Sequence, residues 1–379
     1  MKKPFPSHEP HSLLLVRFSS MGDILHVLPA FRALRKKLRI TRLFWAVDNA
    51  FADIVEGQDG LKEILPFERH ETAKRLGALT TFWSGISMVW HYIKELRSRK
   101  IVGSLDFHGN FRSGFFAWFS GARRRLAFSS WSEGNRIFQD CAFKAPKAKL
   151  HAIERNLALI KHMGIDAEPE CVPVAVGSDK RATIDKYLKE QQLEQKRYIL
   201  MFPTSTWTIK QWTVEGYAET ASEINKATGL PVLIVQDLKG AETAEAIAAI
   251  SKGKIKVTPF FGIKELAALC ENAAFAIGCD TGPLHLAAAM GTPVVGIYGP
   301  TDPAVFGPYW KPNRVVMHDE NCTRRCWKHR RSEDEACQCL KALKAEKVIK
   351  ACLELYAETS TAQEKARRSE ERRVGKECS

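Results

Sequence analysis

The stretch that most constrains the fold is residues 13–38, LLLVRFSSMGDILHVLPAFRALRKKL. Leu13 to Val16 is a short apolar run that reads as a buried strand. A polar turn follows, Phe18-Ser19-Ser20-Met21-Gly22-Asp23. Ile24, Leu25, Leu28, Phe31, Leu34 and Leu38 then recur at the three- and four-residue spacing of one helix face. Strand, tight turn and helix open a nucleotide-type α/β domain. The turn sets the carboxylate of Asp23 at the carboxyl end of the first strand, where open α/β sheets bind ligands. The same residues admit a plainer meaning. Ser20-x-x-Asp23 is a capping box, and on spacing alone a cap is the commoner meaning of such a pair. Pro29 either kinks the helix or sits in the first turn of a helix that begins beside it.

The chain has 379 residues, enough for two domains of ordinary size, and its 45% hydrophobic content supplies two cores. No apolar run approaches the ~20 residues that span a bilayer. The segment MKKPFPSHEPHS leads only into the Leu13–Val16 strand and carries no signal-peptide core, so a cytoplasmic location is expected. A net charge of +14 and a pI near 9.3 favour a polyanionic partner: nucleic acid, an anionic membrane surface or an acidic substrate. Basic clusters stand at Arg32-Arg35-Lys36-Lys37-Arg39-Arg42, at Arg97-Arg99-Lys100 and at Arg123-Arg124-Arg125. For any one cluster a solvated face is the commoner explanation.

Strand and helix patterns alternate through the first half, which points to a parallel sheet covered on both faces. Leu43–Val47 reads as a strand ending in Asp48. Residues 61–66 are a strand or a connector. Phe82–Arg99 is a helix with Ile86, Val89, Trp90, Ile93 and Leu96 on its apolar face, and Lys100–Phe107 is a strand. From Ala127 to Leu150 the periodicity dissolves into a long loop, and loops of that length are usually functional. Residues 164–176 resemble a linker. The expected organisation is an N-terminal Rossmann-like domain over 1–176 and a second over 177–356. The charged tail from 357 to 379 is expected to be disordered.

The second half restarts the pattern. Tyr198–Phe202 leads into PTSTWTIKQW, Pro231–Val235 leads into QDLKGAE, and Phe275–Gly278 leads into CDTGPLH. Hydroxyl- and glycine-rich turns at Ser205-Thr206 and Asp280-Thr281-Gly282 suit a diphosphate, because helix N-termini attract phosphate. Lys210 would add a point charge to the same group.

Ten cysteines in such a chain do not form a disulfide framework. Cys141, Cys171, Cys270, Cys279 and Cys352 are scattered and read as small apolar residues. Cys322, Cys326, Cys337 and Cys339 cluster near His329, but their spacing fits none of the usual paired zinc knuckles.

Three segments in order, SSMGDILHVLPAFRAL, TWTIKQWTVEGYAE and GCDTGPLHLAAAMGTPVVGIYGPTDP, resemble the lipopolysaccharide heptosyltransferases of glycosyltransferase family 9. The resemblance implies a GT-B fold, two Rossmann-like domains facing across a cleft, with no catalytic metal and no cofactor. It implies transfer of heptose from ADP-heptose to the anionic Kdo–lipid A inner core with inversion, by an enzyme peripheral to the cytoplasmic face of the inner membrane. Asp23 matches the family's general base. Lys210 matches the lysine on the donor phosphate, with Ser205 and Thr206 before it. Asp280, Thr281, Gly282 and His285 match the D-T-G-x-x-H segment at the donor. Glu242 matches, more loosely, an acid at the adenosine ribose. Arg123, Arg124 and Arg125 are candidates for the acceptor. Phe202-Pro203 and Ser205 depart from the common pattern, and the loop at 127–150 has no counterpart.

An aspartate near pKa ~4 is ionised at pH 7, and partial burial is expected to raise its basicity. Two other readings fit the residues: a transferase or epimerase for another nucleotide sugar, and a charge-driven binder of anionic polymers. No nucleic-acid motif supports the second, and no nucleic-acid partner is expected.

Overall fold

The computed structural model describes residues 12–38, 42–128, 132–144, 149–237, 240–318 and 338–377. The chain divides into two compact units, 1–175 and 176–379.

Unit 1 is built on six parallel strands: β1 (Ser12–Val16), β2 (Arg42–Asp48), β3 (Leu61–Phe67), β4 (Gly103–Asp106), β5 (Arg124–Phe128) and β6 (Cys141–Phe143). Their spatial order is β3-β2-β1-β4-β5-β6. β1 lies between β2 and β4, and all five of its residues are buried, which is why it reads as an unbroken apolar run. The helix after it is broken in two, Met21–Leu25 and Leu28–Lys37. Pro29 stands in the first turn of the second piece, where its missing N–H costs nothing. Phe31 from that helix packs on Trp45 of β2. On the sheet's other face Phe18, Phe67, Tyr92 and Phe116 form an aromatic cluster. The segment at 61–67 is a strand rather than a connector.

The expected loop at 127–150 contains β5, β6 and a 3₁₀ segment at Ser132–Phe138. β6 has only three residues, too few to show a period. The helix at Phe82–Ser98 also differs from expectation. Tyr92, Ile93 and Leu96 are buried, whereas Ile86 and Trp90 face solvent. It pairs with a helix at Arg69–Leu76 that the sequence reading missed.

Unit 2 repeats the plan with β7 (Ile199–Phe202), β8 (Val232–Ile234), β9 (Ile255–Val257), β10 (Phe275–Cys279), β11 (Val294–Ile297) and β12 (Asn313–Val316), all parallel. The order β12-β11-β10-β7-β8-β9 is that of unit 1 read from its other edge. Gly278 lies where β10 meets β7, and a Cβ there would stand 2.8 Å from that of Phe202. Val348, Cys352 and Leu355 anchor the last helix, Ala345–Glu377, in this core. That helix passes through position 357, where disorder was expected to begin: Thr359 is buried and its hydroxyl donates to Leu355 O at 2.9 Å.

Cys270, Cys279 and Cys352 are fully buried, and burial pushes each thiol up, Cys279 to about 12. Cys171 is exposed, contrary to expectation, and Cys141 is partly so. Of the clustered cysteines, Cys339 packs at the edge of the unit 2 core. Cys322, Cys326 and Cys337, with His329, lie outside the described residues.

Candidate active site

In each unit the strand order reverses beside the first strand of that half, and ligands of doubly wound sheets sit at the carboxyl ends of the strands there. In unit 1 these are the ends of β1 and β4. Backbone hydrogen bonds hold the end of β1 to its two neighbours: Phe107 N–H, just after β4, donates to Val16 O, while on the β2 side Arg17 N–H donates to Ala46 O and Asp48 N–H to Phe18 O.

Asp23 is the third residue of the short helix opened by Ser20. Its Oδ2 accepts the Ser20 N–H at 3.1 Å and the Ser20 hydroxyl at 2.9 Å, and it pairs with Arg17 Nη2 at 2.7 Å. The first of these bonds is the acid's half of a capping box, so the structural meaning of the motif is real. It is also incomplete as an account, because Oδ1 has no donor among the described residues and the side chain is 32% exposed. The expected gain in basicity is not what the site produces. Burial pushes the carboxyl up, but Arg17, His26 and the Ser20 donors together outweigh it and hold the group well below the usual carboxylate range. Asp23 is thus an ionised acceptor with one oxygen tied down and the other available.

Arg17 is the residue that fixes this arrangement. It is 8% exposed, pairs with Asp23 through Nη2 and donates from Nη1 to Phe107 O at 2.6 Å. It joins the acid of the short helix after β1 to the end of β4. Sequence reasoning passed over it, although its place directly after the apolar run was a usable signal. If Arg17 sets the charge state of Asp23, removing its cation destabilises the carboxylate and raises its pKa. The acid limb of the kcat/KM profile of Arg17→Gln then moves to higher pH, by about one pH unit or more. Arg17→Lys keeps the charge and restores much of the wild-type profile. An unmoved limb in Arg17→Gln would remove this positioning role.

Other groups missed by sequence reasoning surround the same edge. Asp106, at the end of β4, is buried. It accepts the N–H groups of His108 and Gly109 and donors from Ser113, Asn135 and Gln139, which shapes the 106–113 loop. His108 Nδ1 accepts the Phe18 N–H at 3.3 Å, so its proton is carried on Nε2. Burial and the neighbouring Arg17 and Arg112 push His108 down to about 3, so it stays neutral. Arg112 lies over the Phe18 ring, Arg69 pairs with Asp48 at the end of β2, and Arg155 feels the charges of Arg17 and Asp23. The Nε–H groups of Arg17, Arg112 and Arg155 are buried without a partner among the described residues. A belt of arginines beside one open carboxylate oxygen suits an anionic substrate that presents a hydroxyl.

The triple arginine is elsewhere. Arg124 and Arg125 begin β5 and pair with Gly103 and Ser104 at the start of β4, on the edge of the sheet opposite Asp23. Arg125 is occupied: it donates to Phe138 O and Ala122 O, pairs with Asp140 at 2.6 Å and lies over Trp118. Arg124 and Arg125, two of the three arginines expected at the acceptor, thus lie at the strand starts, apart from the belt at Arg17, Arg69, Arg112 and Arg155. The first basic cluster is partly neutralised, with Arg32 and Lys36 paired to Glu170 and Arg32 also to Asp59.

In unit 2 the ends of β7 and β10 bring together most of the predicted donor residues. Lys210 closes a 3₁₀ turn and pairs with Asp280 Oδ2 at 2.7 Å, its ammonium 5.5 Å from the Trp207 ring centre. His285 Nε2 lies 3.4 Å from Asp280 Oδ1. The Ser205 hydroxyl donates to Asp280 O at 3.3 Å, and Gln211 donates to Ser205 O, which braces the turn. Burial pushes the Asp280 carboxyl up, but His285 and Lys210 prevail and it lies well below its ordinary range. Thr281 is the N-cap of the helix Gly282–Ala289, so the Gly282 N–H stands at a helix start. Thr206 is exposed. Glu242 is exposed in the first turn of the helix Ala241–Ile250, whose Gly240 cap abuts Thr204. Asp280 thus acts as a buried clamp for Lys210 and His285, while the cation, the hydroxyls and the helix start form the cradle.

Two doubly wound units with these constellations suit a glycosyltransferase. The chain belongs to glycosyltransferase family 9 (heptosyltransferase), whose family model matches residues 89–336, a stretch holding Ser205, Thr206, Lys210, Glu242, Asp280, Thr281, Gly282 and His285. Asp23 precedes that stretch. Among curated relatives, lipopolysaccharide core heptosyltransferase OpsX of Haemophilus influenzae is 23% identical over 327 residues, covering 85% of this chain and 88% of the relative. Lipopolysaccharide heptosyltransferase 1 of Salmonella typhimurium is 26% identical over 317 residues, covering 81% and 94%. The fold matches a family 9 glycosyltransferase from Veillonella parvula with a TM-score of 0.80 at 19% identity, over 92% of this chain and 98% of that one. It matches the E. coli heptosyltransferase WaaC, solved with ADP, with a TM-score of 0.71 at 20% identity, over 91% and 99%.

Proposed function

We propose that this glycosyltransferase moves heptose from ADP-heptose to the Kdo–lipid A inner core of lipopolysaccharide, with inversion at the anomeric carbon. The observation that carries the reading is the open Oδ1 of an ionised Asp23 within a belt of arginines, in a chain of family 9. The acceptor hydroxyl attacks the anomeric carbon opposite the diphosphate. Its proton passes to Asp23 Oδ1 as the new C–O bond forms. The bond from the anomeric carbon to the phosphate oxygen breaks, and ADP leaves with the electron pair. Lys210, the hydroxyls of Ser205, Thr206 and Thr281, and the Gly282 N–H take up the developing charge. Glu242 stands at the adenosine ribose. The arginines of unit 1 hold the carboxylates and phosphates of the acceptor. His108, neutral with its proton on Nε2, serves as a donor beside the same substrate. The work is done at the cytoplasmic face of the inner membrane, where a lipid-borne acceptor is met.

The test is transfer itself. Incubated with ADP-heptose and Kdo–lipid A, the protein is expected to add one heptosyl residue to the acceptor, read by mass spectrometry. ADP is expected to raise the unfolding temperature more than UDP, GDP or CMP at equal concentration, since a ligand of the folded state stabilises by mass action. A preference for UDP would shift the reading to another nucleotide sugar.

A further inference from the structure

The helical pair Arg69–Leu76 and Phe82–Ser98 has two faces, and beyond Arg69 at its start no residue of the pair belongs to the site described above. The inner face explains why the pair is where it is. Tyr92, Ile93 and Leu96 are buried, the Tyr92 hydroxyl donates to Leu65 O at 2.8 Å, and Gly85 lets the second helix approach Leu76. The outer face is apolar in water. Leu79, in the connection, is 98% exposed, Trp83 78% and Trp90 54%, and Leu76, Phe82 and Ile86 are exposed beside them. Trp83, Ile86, Trp90, Lys94 and Arg97 follow one another at three- and four-residue spacing, so they form a single stripe along the helix.

The charge around this patch has one sign. Residues 69–100 hold seven Lys and Arg against two Glu, and both acids are engaged, Glu71 by Arg75 and Glu95 by Arg99. Lys74, Lys94 and Arg97 are exposed and make no ion pair among the described residues. A protein core has no use for aromatic rings at this exposure, and a partner made of protein would not by itself call for unpaired cations at the end of the stripe and on the neighbouring helix. Tryptophan rings settle at the boundary between headgroups and acyl chains, and flanking Lys and Arg are drawn to anionic headgroups.

We propose that this hairpin is the surface by which the chain docks on an anionic lipid bilayer, lying flat with Leu79, Trp83 and Trp90 in the headgroup boundary. The inference rests on the lipid-borne acceptor of the preceding section and assigns the contact to a particular surface.

The full chain is mixed with sucrose-loaded vesicles of phosphatidylethanolamine and phosphatidylglycerol, or of phosphatidylcholine alone, and sedimented. The wild type is expected to pellet with the anionic vesicles and about tenfold less with the neutral ones. Leu79→Ser/Trp83→Ser/Trp90→Ser is expected to lose binding about tenfold while its unfolding temperature stays unchanged. Its turnover on a deacylated, water-soluble acceptor is expected to stay within about twofold of wild type. Lys74→Glu/Lys94→Glu/Arg97→Glu is expected to abolish the preference for anionic vesicles. Undiminished pelleting of the triple serine variant would overturn the proposal. So would a wild type that runs as a dimer which that variant dissociates, since the patch would then join two copies. Vesicle binding without any heptosyl transfer would remove the proposed reaction and leave the docking surface standing.

Discussion

Asp23→Asn is expected to lower kcat by about 10²–10⁴, the range supplied by general base catalysis, with ADP affinity within about twofold of wild type. The amide has nearly the shape of the carboxylate and can keep accepting the Ser20 donors, so the turn at 18–23 should survive. What it cannot do is take a proton at the position of Oδ1. The loss should be independent of pH, since no later protonation change restores a base. Single-turnover kinetics with saturating ADP-heptose would check this, with ADP titrated separately by calorimetry. Turnover near the wild-type rate would return Asp23 to its capping role alone.

Lys210→Ala is expected to damage both steps in which the diphosphate is held. Losing one well-placed donor to a developing anion typically costs 10²–10³ in rate, and ADP should bind about tenfold or more weakly as well. The ion pair with Asp280 sharpens the expectation. Without the lysine, a carboxylate at 8% side-chain exposure loses its ion-pair partner and keeps the His285 ring at 3.4 Å, so its pKa rises toward the ordinary range. Lys210→Arg should recover part of the ADP affinity, because the charge is kept while the point geometry is lost. Equal ADP affinity in wild type and Lys210→Ala would exclude the phosphate role.

The parts of this protein that could be read from sequence are those where one residue pattern has one physical cause. The run Leu13–Val16 is unbroken because β1 is covered on both faces, and the turn after it must lie at the sheet's ligand edge. The residues proposed for the donor in unit 2 sit within a few positions of strand ends, and Ser205, Lys210, Asp280 and His285 converge there. The misses share a cause too. Arg69, Arg112 and Arg155 come from three separate segments, and only the strand order places them at one edge. Arg123 to Arg125 formed the densest cationic cluster of unit 1's second half, yet they begin a strand rather than end one. The depressed Asp23 carboxyl depends on Arg17 aiming back across a turn, which spacing cannot report. Trp90 matched a helical period that counts apolar residues without saying which side of the helix has a neighbour.

The shared strand order of the two sheets has a consequence for how such an enzyme can diversify. Among the described residues every backbone ladder closes within its own half, so a crossover at 175/176 cuts no β-pairing there. Each half carries its own loops at its own sheet edge, Asp23 and the arginines in one, Lys210 and Asp280 in the other. If the proposed roles hold, heritable change in the recipient of the sugar can accumulate in one gene segment while the other is left untouched.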